Sequence, residues 1–288
     1  MRKPPARYRT TFADSARWDS VALRPGDIII STPQKCGTTW MQTICALLIF
    51  QSPELPAMLD ELSIWPDFLL RDEDDMAEAL EAQQTRRFMK THSALDGLPD
   101  DDRVTYITVG RDPRDAGVSY INHQANLNMA AMPGRGTFPA LPALPRERFW
   151  RWANNPPEAT GLASMMHHLS TAWEVRDRPN VLLLHYQQML DDLPGTMRLV
   201  ADRLGIQVPA ARWPGLIKAA TFSEMRTHID NLVPERDIWL DRTRFFRSGT
   251  SGQWRALLDE PDQQRYRDRV RTLATPALID WVHQGQPL

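Results

Sequence analysis

The chain has 288 residues, 42% of them apolar, enough for one large domain with a buried core, which excludes a peptide, a fibre or a disordered tail. Its 34 basic and 36 acidic side chains leave a formal net charge of −2, so no overall basic field exists for gripping nucleic acid, and any bound anion must be met locally. The longest apolar run, Ile44 to Phe50, falls far short of the roughly 20 residues that span a bilayer, and Cys36 and Cys45 alone supply neither a disulfide framework nor paired zinc spacing.

In chain order, Met1 to Thr10 is basic and contains proline without the apolar segment of a secretory signal, so residues 1–20 read as a loose arm of a cytoplasmic protein. Short β-branched runs then alternate with longer amphipathic stretches, which predicts strands joined by crossover helices in a mostly parallel sheet. The strands expected are Asp27–Ser31, Arg87–Lys90, Val104–Val109 and Val181–His185. Helices are expected over Gly37–Phe50, Asp112–Asn128 with Pro113 in its first turn, Pro157–Asp177, Pro194–Leu204, Trp213–Ala220 and Asp262–Trp281. Acidic Asp72-Glu73-Asp74-Asp75 reads as a solvated helix start, and Arg265, Arg267, Arg269 and Arg271 fall on different faces of a solvated helix. Gln51–Leu70 and the Pro- and Gly-rich Asn128–Pro145 read as long loops of the kind that serve as lids or binding segments. With no repeat and no low-complexity linker, residues 1–288 read as a single α/β domain with a central, mostly parallel sheet flanked by helices.

In an open parallel sheet, ligands bind beyond the carboxyl ends of the strands. Those ends supply Lys35 in a loop with Cys36, Gly37, Thr38 and Thr39, then Lys90 and His92, then Arg111, then Tyr186. The first loop is P-loop-like: a strand, a turn with Gly, Lys and hydroxyls, then a helix whose free N–H groups face the turn. It lacks the Walker A order, because the Lys precedes the Gly. Taken alone, the loop fits an anion cradle or an ordinary strand-to-helix turn with a solvated Lys. A nucleotide kinase or NTPase and a non-enzymatic nucleotide-binding module stay open at this point. The adjacent His167 and His168 have no helical partner at ligand spacing, so no metal is expected.

Four ordered segments resemble the cytosolic-type sulfotransferase family. Lys35-Cys36-Gly37-Thr38-Thr39-Trp40 is similar to its 5′-phosphosulfate loop, and Lys90-Thr91-His92 to its K-T-H. The segment from Arg111-Asp112-Pro113-Arg114-Asp115 to Ser119-Tyr120 resembles its 3′-phosphate motif, and Phe245-Phe246-Arg247-Ser248-Gly249 to Gln253-Trp254 its late R-K-G-x-x-G-D-W. The resemblance implies 3′-phosphoadenosine-5′-phosphosulfate (PAPS) as donor, 3′,5′-bisphosphoadenosine (PAP) as product, and an acceptor hydroxyl or amine on a small molecule, lipid or natural product.

By the same resemblance, Lys35, Gly37, Thr38 and Thr39 hold the phosphosulfate and Trp40 stacks on adenine. Arg111, Ser119 and Arg247, with the N–H of Gly249, hold the 3′-phosphate. Tyr186 lines the nucleotide, and Thr221 and Phe222 flank the base. Cys36, Phe246 and Ser248 complete the donor segments. Independently of the family, two arginines and a hydroxyl suit a terminal phosphate, which would separate this donor from ATP. An imidazole at His92 suits a general base at neutral pH, with Lys35 steadying the leaving oxygen and Lys90 the transferring group. Trp65, Phe68, His123, Met129 and Phe149 are candidates for an acceptor pocket or for core and lid packing.

The chain departs from the family pattern at Pro33-Gln34, usually Tyr-Pro, at Ala220, usually Thr, at Ser248, usually Lys, and at Gln253, usually Asp. Gln187-Gln188-Met189 follows Tyr186 where the family has E-D-M. These departures point to weaker donor binding than the family norm. The family's dimerisation pattern is not recognisable around Arg255–Gln264.

Overall fold

The computed structural model describes residues 5–128, 131, 140–234 and 237–284. Four strands, β1 (Ile28–Ser31), β2 (Phe88–Thr91), β3 (Thr105–Gly110) and β4 (Val181–His185), form one parallel sheet in the order β2-β1-β3-β4. Ile28 lies opposite both Phe88 and Thr105, and Gly110 opposite His185, so all four carboxyl ends reach the same edge. Ile28, Ile29 and Ile30 are fully buried because helices cover both faces, which is why β1 reads as a continuous β-branched run. At the opposite end of β1, buried Asp27 accepts from Arg87 Nε at 2.9 Å.

After β1 come α1 (Thr38–Phe50), α2 (Leu59–Leu62) and α3 (Glu73–Ala82); α4 (Pro113–Gln124), α5 (Pro145–Asn154) and α6 (Leu162–Glu174) lie between β3 and β4. The chain continues with α7 (Tyr186–Asp191), α8 (Leu193–Arg203), α9 (Trp213–Ala219), α10 (Phe222–Thr227), α11 (Ile229–Leu232), α12 (Glu260–Arg271) and α13 (Pro276–Val282). None among the described residues is long and apolar enough to cross a membrane. The chain moves outward from β1 to β2, then returns to the other side of β1 with β3. The loops after β1 and β3 therefore flank a topological switch point.

Each strand lies within one residue of its expected bounds, and helices differ where local chemistry intervenes. The single helix expected over Asp262–Trp281 is two, because Pro276 holds Thr275 extended (φ −69°, ψ 152°) and ends the ladder. Helix α4 stops at Gln124 instead of Asn128. There Asn126 donates to the Asp241 carbonyl (2.8 Å) and accepts from its N–H (3.1 Å), drawing the chain into a bridge between Leu127 and Trp239. Helix α6 starts at Leu162 after an extended Gly161. The short α2 lies inside Gln51–Leu70, and α5 was not expected.

The segment expected as an arm packs along the β2 edge. Trp18 is buried, Tyr8 Oη donates to Asp96 Oδ1 at 2.7 Å, and Leu69 N–H donates to the Phe12 carbonyl at 2.8 Å.

Candidate active site

The carboxyl edge of the sheet opens into a cavity of about 1480 Å³. Strand β1 delivers the loop 32–37, in which Lys35 takes a left-handed backbone conformation (φ 66°) and Gly37 another (φ 98°). Any Cβ at Gly37 would lie 3.1 Å from the Tyr186 ring, so both conformation and space ask for glycine. Gly37 also caps α1 without a side-chain hydrogen bond, which leaves the first N–H groups of that helix free to meet an anion.

Arg111, beyond β3, ties the site together. Its guanidinium donates to the carbonyls of Lys35 (3.1 Å) and Thr250 (3.2 Å) and stacks 4.2 Å from the centre of the Tyr186 ring. Its Nε is buried without a hydrogen-bond partner among the described residues. Lys35, packed 5.0 Å over Phe245, has its pKa lowered to about 8, first by burial and then by the charges of Arg111, Lys90 and Arg247. Four cations thus converge where a polyanion is the natural counter-charge, and the unpaired Nε provides one more donor for it. The donor set fits the phosphate and phosphosulfate groups of PAPS.

Strand β2 ends at Lys90 and Thr91 and leads to His92. Lys90 Nζ sits 4.5 Å from the centre of the Trp65 ring, and that ring meets His92 edge-on at 5.2 Å. His92 Nδ1 lies 2.8 Å from the Thr32 carbonyl. A carbonyl only accepts, so Nδ1 carries the proton and Nε2 keeps the free lone pair. Burial, then the charge of Lys90, lowers the His92 pKa to about 3, so the imidazole is neutral at pH 7.

Of the residues expected at the site, Lys35, Gly37, Thr38, Thr39, Trp40, Lys90, His92, Arg111, Ser119, Tyr186, Phe222, Phe246, Arg247, Ser248 and Gly249 all line the cavity. Trp40 is held by its indole N–H, which donates to the Ala220 carbonyl at 2.8 Å. The Ser248 hydroxyl accepts from Gln253 Nε2, which also donates to the Thr250 carbonyl at 2.9 Å; the two departures in the last segment thus bind each other.

Two expected residues do not line the cavity. The Cys36 thiol is buried in the cluster with Ala116 and Leu162, and burial pushes its pKa up to about 12; only its backbone belongs to the loop. Thr221 caps α10, accepting from Glu224 N–H and donating to the Lys218 carbonyl at 2.8 Å. Among the acceptor candidates, Trp65, Phe68 and His123 line the cavity, Phe149 is core, and Met129 lies outside the described residues.

Two buried carboxylates, Asp67 and the motif residue Asp115, make contacts that the motifs do not show. Asp115 accepts the N–H groups of Gly252 (2.7 Å) and Gln253 (2.8 Å), so α4 carries the loop that bears Arg247. Asp67 Oδ2 accepts the hydroxyls of Thr91 and Ser93, both at 2.7 Å, and so grips the chain on either side of His92. Burial pushes the Asp67 carboxyl pKa up.

A parallel sheet with a cation-ringed cavity at its switch point defines a nucleotide-dependent group-transfer enzyme as the class. Residues 25–277 match the family described as "Sulfotransferase domain". A glycolipid sulfotransferase of Mycobacterium bovis is 40% identical, the match covering 97% of this chain and 94% of that one. Sulfotransferase 1E1 of Cavia porcellus is 25% identical over 88% and 87% of the two chains. Among solved structures, a retinol dehydratase in complex with androsterone and inactive cofactor PAP matches with a TM-score of 0.69 at 22% identity, covering 92% and 89%. Mouse sulfotransferase SULT7A1 complexed with PAP gives 0.68 at 20% identity, covering 94% and 88%. The chain belongs to the sulfotransferase family and is a PAPS-dependent sulfotransferase. That membership decides against the kinase and the non-enzymatic module, which the first loop had left open.

Proposed function

We propose that this enzyme transfers the sulfuryl group in line to a hydroxyl of a glycosylated, lipid-borne acceptor, with His92 Nε2 taking the proton. PAPS supplies an activated sulfuryl group on a good leaving nucleotide. Lys35, the free N–H groups at the start of α1, and the hydroxyls of Thr38 and Thr39 bind its phosphosulfate end. Arg111, Ser119 and Arg247, with Gly249, bind its 3′-phosphate, and Trp40 and Phe222 hold the base; Tyr186 stacks behind Arg111. A loose, in-line transfer needs positioning and charge stabilisation more than covalent chemistry from the protein, and the lysines supply that charge.

The observation that carries the reading is the His92 bond to the Thr32 carbonyl, which fixes the tautomer with Nε2 unprotonated beside Lys90 and Lys35. The glycolipid acceptors of the mycobacterial relative, and a cavity whose walls combine the Trp65–Phe68 stack with polar groups of α4, support an acceptor with both a sugar and an apolar part. Residues 1–288 act in this reading as one domain. The test is His92→Ala. Turnover, measured as sulfated product by mass spectrometry, should fall by about 10²–10⁴-fold, while calorimetric PAP affinity stays near that of the parent protein. Turnover within a few-fold of the parent would remove His92 from the proton transfer.

A further inference from the structure

The cavity face of α4 presents Ser119, Tyr120, His123 and Gln124, in two pairs each one helical turn apart. Gln124 Nε2 donates to the Tyr120 hydroxyl at 3.1 Å, and Ser119 belongs to the donor end in the reading above. His123 is different. Its ring meets Trp239 edge-on at 5.4 Å and Phe245 at 6.3 Å, packing that a phenyl ring would supply equally well. Its side chain makes no hydrogen bond with any described residue, although Lys35, His92 and Lys90 are all within electrostatic reach. A half-buried, neutral imidazole therefore faces the reaction chamber with one N–H donor and one lone pair to offer.

A hydroxyl has the matching pair of functions. Because His92 Nε2 is already assigned to the reacting hydroxyl, a second imidazole in the same chamber can bind the hydroxyl next to it. We propose that His123 is a specificity residue that hydrogen-bonds an acceptor hydroxyl neighbouring the one sulfated, so that the enzyme selects sugar-type headgroups over phenols and monohydric alcohols. The inference rests on the acceptor reading under Proposed function and deepens it. A phenol satisfies His92 and leaves the nitrogens of His123 unpaired, and a site built for a hydroxyl discriminates against ligands that lack it.

The test compares octyl glucoside with 2-naphthol as acceptors for the full-length enzyme and for His123→Phe, which keeps the ring contacts and removes the nitrogens. The ratio of kcat/KM for the glucoside to that for the naphthol should fall about tenfold in the variant, the size of one acceptor hydrogen bond, with PAP affinity and Tm as in the parent. His123→Asn, which restores a donor and an acceptor without the ring, should recover part of the ratio. Sulfation of the glucoside by the parent with an unchanged ratio in His123→Phe would overturn this proposal and leave the acceptor reading standing. Failure of the parent, with PAP bound normally, to sulfate the glucoside would overturn both.

Discussion

At the end of the cavity assigned to the donor, Arg111 and Tyr186 follow directly on β3 and β4, Lys90 lies within β2, and Lys35 sits on the short loop after β1, so the sheet places all four. At the acceptor end, walls come from the arm near Tyr8 and Phe12, the segment around Trp65 and Phe68, and the last turns of α4. The arm stays there through bonds to remote chain: Tyr8 Oη lies 2.7 Å from both Asp96 Oδ1 and His167 Nε2, and Leu69 N–H reaches the Phe12 carbonyl at 2.8 Å. A group on a short loop off a rigid sheet has few ways to move, so the donor end tolerates little change. Walls held by side chains on separate segments can be exchanged without disturbing the sheet. One fold can thereby keep its donor and change its acceptor.

The sharpest way to break this contrast is Arg111→Ala. It removes the charge that meets the donor in the proposed reading and unties the loops at Lys35 and Thr250 together. PAP affinity should fall by about 10²–10³-fold by calorimetry, the range for losing one partner of a buried, charge-assisted set, while Tm moves little. Arg111→Lys should recover only part of it, because an ammonium lacks the planar fork that reaches both carbonyls and the flat face that stacks on Tyr186. Equal affinity for the Ala variant and the parent would show that the donor end is not organised around Arg111.

Asp67 tests the seam between the two ends, since it lies in the acceptor-side segment yet grips the residues flanking His92. Asp67→Ala should lower kcat about ten- to a hundredfold, the cost of letting the proposed proton acceptor His92 drift by a fraction of an ångström to an ångström. Donor KM should hold. Asp67→Asn, whose amide oxygen can still accept both hydroxyls, should restore most of kcat. A merely structural role would instead lower Tm and the folded fraction without that rescue.

The same contrast explains what the sequence alone could reveal. Lys35 to Trp40, Lys90 to His92 and Arg111 to Ser119 are contiguous runs that follow apolar strands, so both their chemistry and their place on the sheet edge can be read from order alone. Asp115 lies inside the last of those runs, yet its partners are 137 and 138 residues away, and Asp67 stands in no run, with partners 24 and 26 residues off, so order alone reveals the contacts of neither. Thr221 does not line the cavity and its hydroxyl serves a local cap, a competition common for threonine before a helix that order alone does not show. Helix α5 was legible after all: Pro145 at its first turn, Glu147, and apolar Phe149, Trp150, Trp152 and Ala153 form a start signal and a buried face, masked by the proline-rich stretch before it.

The smallest expected effect separates the two ends by pH. Lys35 titrates near 8 in the free protein because burial and the neighbouring cations disfavour its charge. Bound PAP brings negative charge to the same place and raises that pKa, so above about pH 8 binding must take up a proton. PAP affinity should hold just below pH 8 and fall by up to tenfold per unit above it, and calorimetry in buffers of different ionisation enthalpy should detect proton uptake at pH 9 but little at pH 7. Lys35→Arg, with a charge that does not titrate, should flatten the curve between pH 8 and 10. The acceptor end offers no matching change, since His92 and His123 are held below the ordinary imidazole range and are already neutral there. Acceptor KM should therefore stay level across the window in which donor affinity declines. A parent PAP affinity that is flat to pH 10 would mean that the charge of Lys35 is not part of donor binding.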